Sequence, residues 1–212
     1  EEGFPGNLSV CVRFSLSRRN ELSIRFLAVS DRDTVCNLSN HMAVNLNTCR
    51  GTTCLDHRLT IYGRTFSPAS PDGIPTGEVL PVEHTNLDFR EERLLGAQLL
   101  LPSRHTEPFG GLDHNWFLED KSPMRRCLTL SHPGSGRVME CLTTMPCVHV
   151  YTSNSLTGSE TGKYGTPYNR QCAFFTETQY APDSVSHPGW AQPFLKAGRQ
   201  YDHTTVYRFS LL

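Results

Sequence analysis

The run CAFFTETQY, Cys172 to Tyr180, constrains the fold more than any other part of the chain. β-Branched and aromatic residues dominate it, so it reads as a strand. Side chains alternate across a strand, which puts Ala173, Phe175, Glu177 and Gln179 on one face and Phe174, Thr176, Thr178 and Tyr180 on the other. A carboxylate therefore sits mid-strand beside large rings, with the Gln179 amide two residues on. Such a carboxylate is rarely buried unless it is paired or functional. Glu177 is a candidate acid/base group; the plainer alternative is a strand-edge Glu bonded to backbone. The strand ends at the turn Ala181-Pro182-Asp183.

The same two-residue period recurs along the chain. Leu8 to Leu16 and Glu21 to Ser30, joined by the polar turn SRRN, read as a hairpin. Leu55 to Gly63 is another strand. Met124 to Asn154 reads as a meander: CLTLSH, the turn PGSG, RVMECLTT, then VHVYTSN. AGRQYDHTTVYRFSLL closes the chain with a strand. Glu1 to Asn7 is turn-like, Thr48 to Cys54 is loop, Ser67 to Val82 is an ordered Pro/Gly-rich surface loop, and Thr157 to Asn169 is a glycine-rich loop. Only Asn86 to Leu101 has helix-like character, with a short turn followed by extended chain as the alternative. Short strands with regular turns and almost no helix predict an all-β antiparallel sandwich. A length of 212 residues suits one domain, 1–212, with one sizeable core.

Charge excludes several functions. Lys and Arg number 20 against 21 Asp and Glu, for a net charge of -1, and no basic stripe points to nucleic acid or an anionic membrane. No run approaches the roughly 20 apolar residues that span a bilayer. The eight cysteines contain no C-x-x-C, which leaves a zinc site unsupported, and most lie in apolar strand-like runs, as free buried thiols do. The sequons at Asn7 and Asn37 matter only in a secreted chain.

Two further stretches carry chemistry. Val35 to Asn47, read as a strand, places Asn37, Ser39, His41, Ala43 and Asn45 on one face and Leu38, Met42, Val44 and Leu46 mostly on the other. His41 on the small, polar face is a candidate proton donor; a satisfied structural His is the alternative unless a carboxylate partner lies nearby. In PFGGLDHNWFLED, two glycines allow close backbone approach. Asp113, His114 and Asn115 then stand together just before an apolar strand start. Acids, amides and aromatics suit a sugar, with hydroxyls at its edge and a C–H face for stacking; a self-capping Asp/Asn turn is the alternative. In VHVYTSN, His149, Tyr151 and Ser153 share a face.

The stretches EEGFPGNLSV, CNLSNH followed by NL, IPTGEVLPV, GGLDHNWFL, VYTSN, TETQYAPDSVSHP and AGRQYDHTTVYRFS run in order through the chain. Together they resemble the aldose 1-epimerases, or galactose mutarotases, over its whole length. The resemblance implies a large mutarotase-like β-sandwich with an open sugar cleft. It implies cofactor-free, metal-free interconversion of the α- and β-anomers of free galactose and glucose. It makes Glu177 the general base, His41 the general acid and Asp113 a sugar-hydroxyl ligand, with His149, Asn115 and Gln179 as further substrate contacts. A cytoplasmic monomer is the expected state. The sequence departs from the family at Met42, Ala43 and Val44, which replace aromatics, and at His149, which replaces a glutamine. The family's N-terminal strands, with an arginine and a second histidine, have no counterpart, so an N-terminally truncated sandwich with exposed edges or an uncovered apolar face is expected. An active mutarotase and a catalytically impaired, mutarotase-like carbohydrate-binding protein or fragment are the two readings. A phosphosugar epimerase, which would want a clustered Arg fork, is a third.

Overall fold

Alternating apolar and polar residues bury one face of a strand, and two such faces closing on each other make the core. The structure, a computed structural model, describes residues 3–47 and 51–212 apart from the Lys163 side chain. Glu1, Glu2 and the Thr48, Cys49 and Arg50 part of the expected loop lie outside the described residues. In chain order the strands are β1 (Leu8–Leu16), β2 (Glu21–Ser30), β3 (Thr34–Val35), β4 (Ala43–Val44), β5 (Arg58–Ile61), β6 (Thr65–Ser67), β7 (Leu80–Pro81) and β8 (Arg93–Leu94). After the short helix α1 (Leu95–Leu99) come β9 (Asp113–Phe117), β10 (Arg125–His132), β11 (Arg137–Thr143), β12 (Cys147–Tyr151), β13 (Phe174–Gln179), β14 (Phe194–Leu195) and β15 (Gln200–Leu211). No helix among the described residues is long and apolar enough to cross a membrane.

Two antiparallel sheets form the sandwich. One runs β1-β2-β15-β11-β10-β5-β8, the other β4-β13-β12-β9-β6-β7, and β14 pairs with β3 at the side. From the first sheet Ile24, Phe26, Leu59, Leu128, Leu130, Met139 and Tyr207 point into the core. From the second, Phe66, Trp116, Val148, Val150 and Phe174 meet them. The predicted all-β sandwich and its first hairpin are therefore present. The cysteines described are all free thiols, five of them buried.

Three local expectations need correction. Met124 to Asn154 is not a meander: β10 and β11 pair, but β12 crosses to the other sheet between β13 and β9. The Met145-Pro146 break makes room for that crossing. Ser153 does not share a strand face with His149, because β12 stops at Tyr151 and Ser153 is left-handed (φ 48°) with its hydroxyl bonded to the Ala173 main chain. Val35 to Asn47 is not one strand: only its two ends carry ladder pairing, Val35 with Phe194 and Ala43–Val44 with Phe174–Phe175. Its middle is held by side chains instead, as described below.

The first strand stands out. Leu8, Val10, Val12, Phe14 and Leu16 share the face that Ile24, Phe26 and Ala28 of β2 bury in the core, yet in β1 they are exposed, Phe14 to 65 %. Among the described residues its outer edge has no partner in the sheet. An apolar stripe along a free, nine-residue edge is a surface on which self-association is expected. This is the uncovered face anticipated from the sequence. Static light scattering should show self-association that rises with concentration. Val12→Lys with Phe14→Lys should suppress it while shifting the urea midpoint little, since both side chains lie at the surface. A wild-type chain that stays a clean monomer would remove the argument.

Candidate active site

The site is built on the outer face of the second sheet. Glu177 on β13 lies directly opposite His149 on β12, which lies opposite Asn115 on β9, which lies opposite Ser67 on β6. One row along, Phe175, Tyr151 and Asp113 are in register; on the other side stand Gln179, Cys147 and Phe117. Directly opposed side chains project from the same face, so these three rows form one polar and aromatic patch. The reverse face carries His114, Trp116, Val148, Val150, Thr176 and Thr178 into the core.

His41 reaches this patch from an irregular segment. Ala43 pairs with Phe175, and two residues further along each chain His41 falls opposite Glu177. The backbone ladder does not continue that far. Asn37 exchanges two hydrogen bonds with the Tyr180 main chain (3.1 and 2.9 Å), and the Ser39 hydroxyl donates to the Thr178 carbonyl (3.0 Å). Asn and Ser side chains replace backbone groups here, which is why the predicted strand is broken although its register survives. Leu38 N–H donates to the Tyr201 hydroxyl (3.2 Å).

The outcome is an imidazole and a carboxylate in contact. His41 Nε2 lies 3.1 Å from Glu177 Oε1; the His41 side chain is 62 % exposed and that of Glu177 17 %. No sugar-sized gap separates them, because residues facing across neighbouring strands stand close enough for their side chains to meet. The His41 ring also packs on Phe175 (centroids 4.4 Å apart), which packs on Tyr151 (5.6 Å). Beside them, His149 Nε2–H donates to Asp113 Oδ1 at 2.8 Å. Trp190 packs against Phe117 (5.1 Å) and His187 (4.4 Å), closing the far end of the patch.

The candidates differ in access. Glu177, His41, Asp113 and Gln179 reach the patch surface. Asn115 shares the row but its amide is buried against the Cys147 thiol, which burial pushes up to about 12. Asp113, His114 and Asn115 lie within β9 rather than ahead of it. His114 points the other way: its Nδ1 accepts from Asp113 N–H (3.0 Å), its Nε2–H donates to the His105 carbonyl (3.0 Å), and burial holds it down at about 4. The glycine pair acts as expected. Gly110 is left-handed (φ 63°), and a side chain on Gly111 would collide with Asn154 and Thr152, which hold the Leu112 main chain at the head of β9.

One positioning group escaped the sequence reading. The buried Tyr207 hydroxyl on β15 lies 3.0 Å from both the Thr176 carbonyl and Asn40 Oδ1. Those residues immediately precede Glu177 and His41. Nothing in the sequence pairs positions 40 and 207.

Comparison with known proteins identifies the family. The aldose 1-epimerase family model matches residues 1–208. This chain belongs to the aldose 1-epimerase family. It is 39 % identical to galactose mutarotase from Bos taurus and 38 % identical to that from Homo sapiens, in each case over 100 % of this chain and 60 % of the relative. Among solved structures, an aldose epimerase homologue from C. elegans superposes with a TM-score of 0.89 at 27 % identity, covering 100 % of this chain and 62 % of that one. This aldose 1-epimerase family chain thus spans about three-fifths of the length of the curated relatives it matches. Among its described residues no group of three or more His, Cys, Asp or Glu could hold a metal ion.

Two outcomes follow from the geometry. Tyr207→Phe should cost about 1–3 kcal/mol in urea unfolding, because it leaves a buried acceptor unpaired; an unchanged midpoint would remove Tyr207 as the anchor. Stability should also fall with acid. The folded-state value of His114 lies below the ordinary 6.5, so its contribution is complete above pH 6.5 and lost as pH falls from there toward 4. Burial lowers His57, His105 and His203 in the same direction. Urea midpoints at pH 7 and pH 5 should differ more in the wild type than in His114→Gln.

Proposed function

We propose that this chain carries the acid/base centre of a mutarotase acting on free hexoses, galactose and glucose. The observation that carries the reading is the Glu177–His41 contact of 3.1 Å on a face that also presents Asp113 and aromatic rings. Since the pair touches, the pyranose rests over it rather than between its members. Glu177 takes the proton of the anomeric hydroxyl while His41 protonates the ring oxygen. The C1–O5 bond breaks, the C1–C2 bond turns, and the aldehyde is attacked from its other face. His41 then takes back the proton of the attacking hydroxyl and Glu177 returns its own to the carbonyl oxygen, so one pair serves both directions. Each positioned group contributes roughly 10²–10⁴-fold. Asp113 accepts from a sugar hydroxyl, and Gln179 lies two residues beyond Glu177 on the same strand face.

A second reading, a carbohydrate-binding protein without turnover, draws on the coverage of only three-fifths of the relatives and on the uncovered β1 face. Polarimetry of fresh α-D-galactose or α-D-glucose separates the two. Under the first reading the chain beats buffer, and Glu177→Gln lowers kcat at least about 10²-fold with a small change in KM. His41→Asn falls less, since water can protonate the ring oxygen, and Asp113→Ala raises KM. A Glu177→Gln variant with near wild-type kcat would sink the catalytic assignment, and a wild type no faster than buffer would leave the binding reading.

A further inference from the structure

His149 stands between two carboxylates, opposite Glu177 in register and bonded to Asp113. A sugar-binding histidine needs a ring nitrogen free to meet a hydroxyl. Here neither is free. Nε2–H is committed to Asp113 Oδ1 at 2.8 Å, and Nδ1 is buried without a partner. The side chain as a whole is 15 % exposed, whereas that of Asp113 is 40 % exposed. The His149 bond goes to Oδ1, which leaves Asp113 Oδ2 as the oxygen turned from the imidazole. The main chain adds to the clamp: Asp113 N–H donates to His114 Nδ1, and Asp113 lies opposite Tyr151 on the strand that carries His149.

We propose that His149 is a positioning residue that acts through Asp113. Resting on the mutarotase reading of this face, the inference assigns the hydroxyl contact to Asp113 Oδ2 and makes His149 the donor that holds the carboxylate rotamer. With its Nε2–H bond in place, Asp113 presents one oxygen to the ligand and keeps the other occupied. Without it, the carboxylate turns into solvent and the sugar loses an oriented acceptor. The chemical step, carried by Glu177 and His41, is not part of this task.

The test is a double-mutant cycle on the full chain, read by mutarotation kinetics and by NMR titration with D-galactose. His149→Leu keeps the bulk and removes the donor. It should weaken galactose binding and raise KM about tenfold, the size of one hydrogen bond to a charged group, with the loss falling on KM rather than kcat. His149→Gln, which retains an N–H donor, should recover most of that loss. In the Asp113→Ala background, His149→Leu should add less than about twofold, because coupled groups are not additive. Multiplicative effects, or a Gln variant as weak as the Leu variant, would overturn the proposal. Imidazole ¹⁵N–¹H spectra give a readout independent of turnover: His149 should be the Nε2–H tautomer in the wild type and lose that uniform state in Asp113→Ala. A wild type that neither binds nor turns over galactose would end the mutarotase reading and the sugar-facing part of this proposal, leaving the tautomer to decide the His149–Asp113 pairing alone. An Nδ1–H tautomer, or one indifferent to Asp113→Ala, would overturn that as well.

Discussion

The candidate site depends on a bond between the sheets. Tyr207 belongs to β15, which lies inside the seven-stranded sheet between β2 and β11, so its hydroxyl is carried by a strand paired on both sides. That hydroxyl crosses the core to the Thr176 carbonyl and to Asn40. One strand away from regular pairing, the His41 segment has few backbone bonds of its own. Its position comes from Asn37, Ser39 and Asn40, each spending a side chain on a neighbour. The Thr178 and Thr205 hydroxyls add a second crossing bond close by. Buried polar groups of this kind are costly unless satisfied. Once satisfied they fix register, and here register is what brings an imidazole to a carboxylate.

Much of this was legible because strands repeat every two residues. The period in CAFFTETQY puts Glu177 and Gln179 on one face, and the structure keeps them there. The sandwich, the first hairpin and the polar face of the His41 segment follow from the same rule. What the period cannot show is which strand is whose neighbour. A strand that crosses between sheets has the same alternation as one that returns in a hairpin, so β12 read as part of a meander. Nor can it show where side chains replace a backbone ladder: Asn37 and Ser39 look like one face of a strand and act, with Asn40, as its substitute. Tyr207 was invisible for a simpler reason. Its partners lie 167 and 31 residues away in sequence, and only the closed sandwich makes them adjacent.

The site also shows how a polar patch can sit on a sheet at small cost. Glu177 faces His41 and Asp113 faces His149, so each carboxylate has an imidazole within 3.1 Å. The two pairs differ in kind. The first is open, with an exposed ring free to move a proton to a ligand. The second is half-closed, with its ring buried and only the carboxylate reaching out. Under the reading proposed for this face, the open pair would exchange protons with a sugar and the half-closed pair would orient it.

That division extends to the whole molecule. The patch comes from β13, β12, β9 and β6 with the His41 segment, closed at one end by Trp190 and His187, and lies on the outer face of the six-stranded sheet. The uncovered stripe lies on β1, at the edge of the other sheet, with β2 between it and the strand that carries Tyr207. Burial of Leu8, Val10, Val12, Phe14 and Leu16 would stabilise and solubilise the chain through the hydrophobic term alone, on the order of 1 kcal/mol or more per side chain. The contact between Glu177 and His41 does not run through those residues. The exposure of β1 therefore bears on how long the folded chain stays monomeric, while the geometry of Glu177 and His41 is set by β15 and β13 behind them.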